Sequence, residues 1–471
     1  MKIAFVWAPF NHKRFEEDIE IVSEEFTVPT PLGLAYAAAI AEEHGHECII
    51  IDANVNPRLT KNEVLAKIID FKPDLLGFLL TIYMFRQTHE WVRFMKKNTG
   101  LPILAGNICL DYYAKEVFFH PEYDYGIIGP ATKNLPELLQ RLENKKSVND
   151  IEGLVFRKDN QVRINFPKSL KEDFGILPFP ALHLLDNRKY NTIISKRKNF
   201  TVMMTSKGCP FKCNFCIVHN LPYSCRTPEN AVDEIERAYR EFNIREIEFF
   251  DPIFNFNKKR VIDICREIVR RGLDVHWACR ARIDLMDEEL LKWMKEAGCH
   301  RIYYGVESGS NKILEDMNKG ITTDKTREIL KLTKKQGIMT LAFILFGAKG
   351  DTYETVTETI DYVCSLPLDY AQFHRCVAKP ATPLYDQIKQ TTGRDYWAEY
   401  ILGIADEERL PTPWTSLSDE EIEELTVKAY RTFYFKPKRL WKLLIGIKSF
   451  EEFTRYVRSA IGLLKVKSDL S

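Results

Sequence analysis

The chain has 471 residues, room for two or three domains, and its 45% hydrophobic and 28% charged residues suit globular domains with real cores. Lys plus Arg (67) and Asp plus Glu (66) nearly cancel, which excludes a broad electrostatic footprint for nucleic acid, so none is expected as a partner. Eleven cysteines, an odd number with eight of them scattered singly, fit a reducing cytoplasmic setting better than a disulfide framework.

The opening MKIAFVWAPF lacks the apolar region and cleavage site of a secretory signal and reads as a first strand. The longest apolar stretches, such as 75–85, are about half what a bilayer span needs. Over residues 1–148, short apolar runs at 2–7, 47–51, 75–80, 103–105 and 126–128 read as strands. Amphipathic stretches at 32–44, 61–71, 88–98 and 135–144 read as helices between them. That alternation predicts a doubly wound, Rossmann-like α/β domain with its ligand at the carboxyl ends of the strands.

Residues 149–195 read as a linker, with a small hairpin around Asp159 and Asn160 and a break at Pro178-Phe179-Pro180. From 196 to 389 the alternation resumes with a longer period. Strands are expected at 200–205, 246–250, 275–278, 301–306, 340–346 and 370–374, and helices at 228–242, 258–271, 287–297, 324–336 and 353–365. Six such βα units make a partial (β/α)6 barrel of the TIM type, whose chemistry gathers at the C-terminal ends of the strands. Residues 390–471 read as a C-terminal helical region. Its last part, 436–471, carries nine Lys or Arg against three Asp or Glu, interleaved with Trp441, Leu444, Phe453 and Tyr456. This pattern fits an amphipathic helix covering the barrel, or a peripheral contact with an anionic membrane, which leaves either a small-molecule or a lipid substrate open.

The sharpest local signal is Lys207-Gly208-Cys209-Pro-Phe-Lys-Cys213-Asn-Phe-Cys216. Thiols this close in sequence reach one centre at small loop-closure cost, at the active end of the first barrel strand. Three readings of the residues stand: an iron–sulfur cluster with one iron left open, a structural zinc site with His219 as fourth ligand, or three unligated cysteines.

The CxxxCxxC spacing with an aromatic, Phe215, before the last Cys resembles the radical S-adenosylmethionine (SAM) superfamily. The resemblance implies that Cys209, Cys213 and Cys216 hold a [4Fe-4S] cluster whose open iron is chelated by SAM, and that backbone around Phe215 lies against the adenine. Tyr304-Gly305-Val306-Glu307-Ser308-Gly309 is similar to the family's GxESG segment, where the Glu contacts SAM. Arg282 matches an arginine near the cofactor in the third-strand segment. Leu345-Phe346-Gly347-Ala348-Lys349-Gly350-Asp351-Thr352 resembles the GxPGET turn, departing from it at Ala348, Lys349 and Asp351. Asp251, at the end of the second strand, is either a SAM contact or the cap of the next helix.

A doubly wound domain ahead of this barrel resembles the cobalamin-binding subgroup of the superfamily. Thr30-Pro31-Leu32-Gly33-Leu34-Ala35-Tyr36 looks like its PPLGLAYLAA segment. The DxHxxG signature is missing, Ala105-Gly106-Asn107 replaces a Gly-Gly pair, and Gly129-Pro130-Ala131-Thr132 replaces Gly-Glu-Gly-Glu. The resemblance implies cobalamin at the strand-end loops, with Thr81, Gly106 and Gly129 as the positions expected to hold it. His12, in the first loop, is a candidate cobalt ligand or a solvated side chain. The implied activity is methylation of an unactivated carbon, using methylcobalamin and a 5′-deoxyadenosyl radical, with a flavodoxin or ferredoxin as one-electron donor. Rearrangement, cyclisation or carbon–carbon coupling without methyl transfer is the alternative radical reaction; a non-catalytic metal-binding module is the alternative of another class. No catalytic side chain is singled out.

Overall fold

The computed structural model describes residues 1–9, 27–55, 57–159, 161–170, 173–192, 194–405, 412–437 and 439, and among them no helix is long and apolar enough to cross a membrane. His12, the side chain of His219 and nearly all of the basic tail lie outside the described residues.

The first sheet has seven strands: β1 (Lys2–Trp7), β2 (Glu47–Asp52), β3 (Leu75–Leu79), β4 (Ile103–Gly106), β5 (Tyr125–Ile127), β6 (Leu154–Lys158) and β7 (Gln161–Ile164). Their order is β2-β1-β3-β4-β5-β6-β7; the first five run parallel. The middle of β1 is buried on both faces, which is why it reads as an unbroken apolar run. The order reverses between β1 and β3, and a switch point of this kind opens a crevice at the strand ends. The β6–β7 hairpin, expected as part of a connector, pairs antiparallel with β5 and extends the sheet.

Five helices cover this sheet: α1 (Leu32–Glu43), α2 (Lys61–Phe71), α3 (Phe85–Thr99), α4 (Ile108–Phe119) and α5 (Ala131–Glu143). Thr60 and Glu63 close a capping box at the start of α2. Helix α4 was not expected. Its ICLDYYAKEVFF has too little polar residue for a readable stripe, because six of its residues are buried and it packs against a C-terminal helix.

The second sheet runs strictly in chain order and all parallel: β8 (Phe200–Met203), β9 (Glu246–Phe249), β10 (His276–Ala281), β11 (Cys299–Glu307), β12 (Met339–Phe346) and β13 (Tyr370–Arg375). This is the expected six-stranded partial barrel. Its helices are α6 (Pro228–Glu241), α7 (Lys258–Arg270), α8 (Glu288–Glu296), the short α9 (Asn311–Asp316), α10 (Thr323–Lys335) and α11 (Tyr353–Ser365). Thr227, Asn257, Asp287, Thr322 and Thr352 each cap a helix by accepting a backbone N–H three residues on.

Three further helices follow: α12 (Pro383–Thr392), α13 (Tyr396–Leu402) and α14 (Asp419–Tyr434). Helix α14 lies along β13, the outer strand of the partial barrel. There Tyr434 accepts from the Ala371 N–H and Tyr430 from the Phe373 N–H, covering backbone groups an open edge would expose.

The segment between the sheets is bound to the barrel by Arg226, which is fully buried. Its guanidinium donates to the carbonyls of Leu177 and Pro178 and to Asn230, and faces Glu234 at 3.3 Å. Burial pushes the Glu234 carboxyl up to about 7 even with this cation beside it. Arg226→Ala therefore strands a buried carboxyl and two carbonyls, at a cost of about 3–5 kcal/mol. Urea denaturation should show a lower midpoint, with new protease cleavage within 173–192, and the Arg226→Ala/Glu234→Ala pair should lose less than the two single changes added together.

Candidate active site

The thiols sit on an arm that leaves the barrel after β8. Ser206–Lys207 pairs antiparallel with Ser224–Cys225, so residues 208–223 form a closed loop between them. Gly208 has φ +81°, and a Cβ there would sit 2.2 Å from the Pro222 carbonyl oxygen, so only glycine passes this corner. The loop is latched to the segment after α9. Asn214 donates from its backbone N to Met317 O (3.1 Å) and from Nδ2 to Asp316 O (2.6 Å), and Asn318 Nδ2 donates back to Lys212 O (2.7 Å).

Cys213 is buried; Cys209 and Cys216 are half-buried, and burial pushes both of those thiols up. Cations oppose that shift: Arg282 and Lys319 near Cys209, Lys379 and Lys319 near Cys216. Arg282 Nη1 stands 3.8 Å from Cys213 Sγ. An electropositive surrounding of this kind favours thiolates, the ligand form.

The spacing of the thiols tests which metal group they suit. Two sulfurs on one tetrahedral zinc, with bonds of about 2.3 Å, lie about 3.8 Å apart. Among the described residues, the three-donor group closing within 4.8 Å is His89, His120 and Glu122, not the cysteines. Three thiols on one loop with cations beside them are the donor set of an iron–sulfur cluster.

Glu307 and Arg282 converge on this loop through a residue that sequence reading missed. Glu307, at the end of β11, has φ +63° and pairs with Lys319 Nζ at 2.6 Å, both side chains being 8% exposed. Arg282 Nη2 donates to the Lys319 carbonyl at 2.6 Å, its Nε and Nη2 hold Asp284, and its guanidinium stacks 3.7 Å over Phe211. Phe215 is half-buried with Lys319 Nζ 6.0 Å from its ring. Lys319 belongs to no spacing rule; only the fold brings it under Glu307.

Two further expected SAM positions, Asp251 and Gly347, are engaged with other parts of the protein. Asp251 is fully buried, with both oxygens taken by Thr205 N (2.7 Å), Thr205 Oγ1 (2.7 Å) and Ser206 Oγ (2.5 Å). It does not cap α7, whose cap is Asn257; it ties the ends of two strands together. Gly347 has φ +73° and a Cβ there would meet Ile422 at 2.7 Å, so the turn is shaped to pack against α14.

A cavity of about 300 Å³ opens at the carboxyl ends of the first sheet. Gly33, Gly77, Gly106 and Gly129 line it, with apolar Phe5, Leu79 and Ile127 and, from the start of the barrel, Met204 and Lys207. Gly129 has φ +75°, and a Cβ added at Gly106 would meet nothing within 4 Å, which leaves room for a ligand to approach the backbone. A glycine-walled, largely apolar crevice fits a large planar cofactor better than a small ion. Thr81 does not line it, although its buried Oγ1 has no hydrogen-bond partner among the described residues.

The family models agree with this division. Residues 203–363 match the radical SAM superfamily and residues 22–139 match the B12 binding domain. An uncharacterized methyltransferase of Pyrococcus horikoshii, PH0819, is 32% identical over 456 residues, 93% of this chain and 94% of the relative. The solved structure of OxsB, a cobalamin-dependent S-adenosylmethionine radical enzyme with aqua-cobalamin and SAM bound, shares the fold at a TM-score of 0.71 and 19% identity, covering 99% of this chain and 72% of that one. TsrM, a radical S-adenosylmethionine methyltransferase from Kitasatospora setae, shares it at a TM-score of 0.66 and 20% identity over 82% of this chain and 76% of that one.

Gly305 gives the sharpest test of the site. A Cβ there would stand 2.3 Å from Glu307 Oε1 and 2.7 Å from Lys319 Nζ. After anaerobic reconstitution, Gly305→Ala should keep its iron yet bind SAM at least about tenfold more weakly, roughly 1.4 kcal/mol. Equilibrium dialysis measures this, and an unchanged affinity would separate the Glu307–Lys319 pair from SAM.

Proposed function

The chain belongs to the radical SAM superfamily and carries a B12 binding domain ahead of its barrel, and on that premise we propose that it methylates an unactivated carbon of a small-molecule or lipid substrate. The observation that carries the reading is contiguity. Met204 and Lys207 form one wall of the glycine-lined cavity, and Cys209 follows two residues later. Methyl transfer between a corrinoid and a radical centre requires both cofactors to face one substrate, and a shared wall supports that arrangement.

When bound, the iron–sulfur cluster supplies the electron that cleaves SAM, and cobalamin supplies a carrier for the methyl group. The residues of the chain do the rest. Cys209, Cys213 and Cys216 hold the cluster, while Arg282 and Lys319 balance its negative charge. Glu307, held by Lys319, presents a carboxylate to the amino group of SAM, and the backbone at Phe215 borders its adenine. Gly347 acts only through the turn it permits. Gly106 and Gly129 let the corrinoid approach the backbone, and Thr81, which lies outside the cavity lining, has no direct part in holding it. The electron comes from a small cytoplasmic donor such as a flavodoxin or ferredoxin.

The reading is checked by product balance. Reduced, reconstituted chain given SAM with a deuterated methyl group should release both 5′-deoxyadenosine and S-adenosylhomocysteine, with label in the corrinoid fraction. 5′-Deoxyadenosine with no S-adenosylhomocysteine would exclude methyl transfer and leave a rearrangement or coupling. Cys213→Ala should lose most of its iron and both products.

A further inference from the structure

We propose that His89, His120 and Glu122 form a second metal site, for one divalent transition-metal ion of the zinc class, away from both cofactors. One donor atom from each residue lies within 4.8 Å of the other two. The three come from separate places: the first turns of α3, the residue that ends α4, and the turn before β5. None of them lines the glycine-walled cavity.

The hydrogen bonds engage one ring nitrogen of each histidine and leave the other for an ion. His120 Nε2 lies 2.8 Å from the Ile401 carbonyl oxygen, which can only accept, so Nε2 carries the proton and Nδ1 keeps its lone pair. His89 uses Nδ1 toward the Tyr123 hydroxyl at 3.1 Å, leaving Nε2 toward Glu122. Histidines that bind metals ordinarily have their other ring nitrogen engaged in this way, which sets tautomer and ring orientation. Glu122 Oε2 is buried and has no hydrogen-bond partner among the described residues, while its Oε1 faces Arg93 at 3.5 Å.

The His89 Nε2 to Glu122 Oε2 separation is 4.0 Å. That is too long for a hydrogen bond. It lies within the limit of about 4.2 Å for two ligands sharing an ion with bonds of about 2.0–2.1 Å. The rings are already held in place: His89 and His120 have centroids 4.2 Å apart, and His89 stacks on Phe85 and Tyr123 at 5.5 and 5.6 Å. Two imidazoles and one carboxylate suit zinc or its neighbours, and are too few oxygens for calcium or magnesium.

An ion here would join three segments of the first domain. Through the His120 bond to Ile401 it would also steady α13, which Arg86 already holds by donating to Tyr400 O at 2.9 Å and Ala405 O at 2.6 Å. The role is structural: a clamp between the first domain and the C-terminal helices.

The test uses the full chain after anaerobic reconstitution of its cluster, titrated with Zn²⁺ and separately with Co²⁺. One Zn²⁺ per chain should bind beyond the iron, with a raised unfolding midpoint. Co²⁺ should give ligand-field bands without sulfur charge-transfer absorption. His89→Gln and His120→Ala should abolish both effects with iron content unchanged. Glu122→Gln, nearly isosteric, should weaken zinc binding at least tenfold and keeps the test valid where a histidine variant fails to fold. Zinc binding equal in wild type and Glu122→Gln, or cobalt spectra with sulfur charge transfer, would overturn the proposal.

Discussion

The cofactor end of the barrel depends on one buried ion pair, Glu307 with Lys319. Both side chains are almost wholly out of water, and among the described residues neither charge has another opposite charge at comparable distance. Losing one partner from such a pair strands the other, at a cost of about 3–5 kcal/mol. The backbone strain at Glu307, a non-glycine residue with φ +63°, adds a cost of about 1–3 kcal/mol that the surrounding contacts must offset. Segment 316–319 supplies that support. Its carbonyls receive Asn214 on one side and Arg282 on the other, so the cysteine loop, the third strand end and the fourth strand end become one mechanical unit.

That unit stands between two sheets whose cores are not separate. Ile313, Met317, Ala348 and Cys376 from the barrel join Leu80, Phe85 and Leu110 of the first domain in a single buried cluster, together with Tyr385 and Trp397. Apolar burial at about 25 cal/mol per Å² makes such a shared core a strong constraint on where the two ligand sites lie. An incomplete barrel pays in exposed edges for the opening its cofactors need. Here α14 covers one edge with tyrosine hydroxyls, and the first domain is drawn in by the shared core.

The elements legible in the sequence were those whose cause is local. Strands buried on both faces read as apolar runs, and capped amphipathic helices read as such, so both sheets and most helices were placed to within a few residues. The cysteine loop was legible because its ligands are close in sequence. Helix α4 was not, because apolar residues such as Ile108, Tyr112 and Phe119 also occupy its outer face and blur the stripe that its buried face makes. Lys319 was not, because its partner is brought to it by a strand end. Asp251 was left open between two roles because a carboxylate at a strand terminus looks the same in either; Asn257 is the helix cap, and Asp251 accepts from two hydroxyls and a backbone N–H. His89 and His120 lie 31 positions apart in sequence, and only the packing of α3 against the end of α4 brings their rings together.

Against GxPGET, Lys349 stands at the proline and Asp351 at the glutamate, while Ala348 fills the free position. The Ala348 backbone N–H is buried and must be satisfied. Asp351 Oδ2 accepts it at 2.9 Å, while Oδ1 takes the Thr355 hydroxyl at 2.9 Å. A glutamate at 351 would carry its oxygens one methylene farther from this N–H. The cost is a carboxyl that burial pushes up to about 6. Because the folded chain then holds this proton more tightly than the unfolded chain, raising the pH from about 4 to about 6 removes stability at this site rather than adding it. The turn is held from outside as well: Trp414 Nε1 donates to the Gly347 carbonyl and the Gly350 N–H donates to the Trp414 carbonyl, each at 2.9 Å, in a backbone path that Gly347 and Gly350 can follow at positive φ.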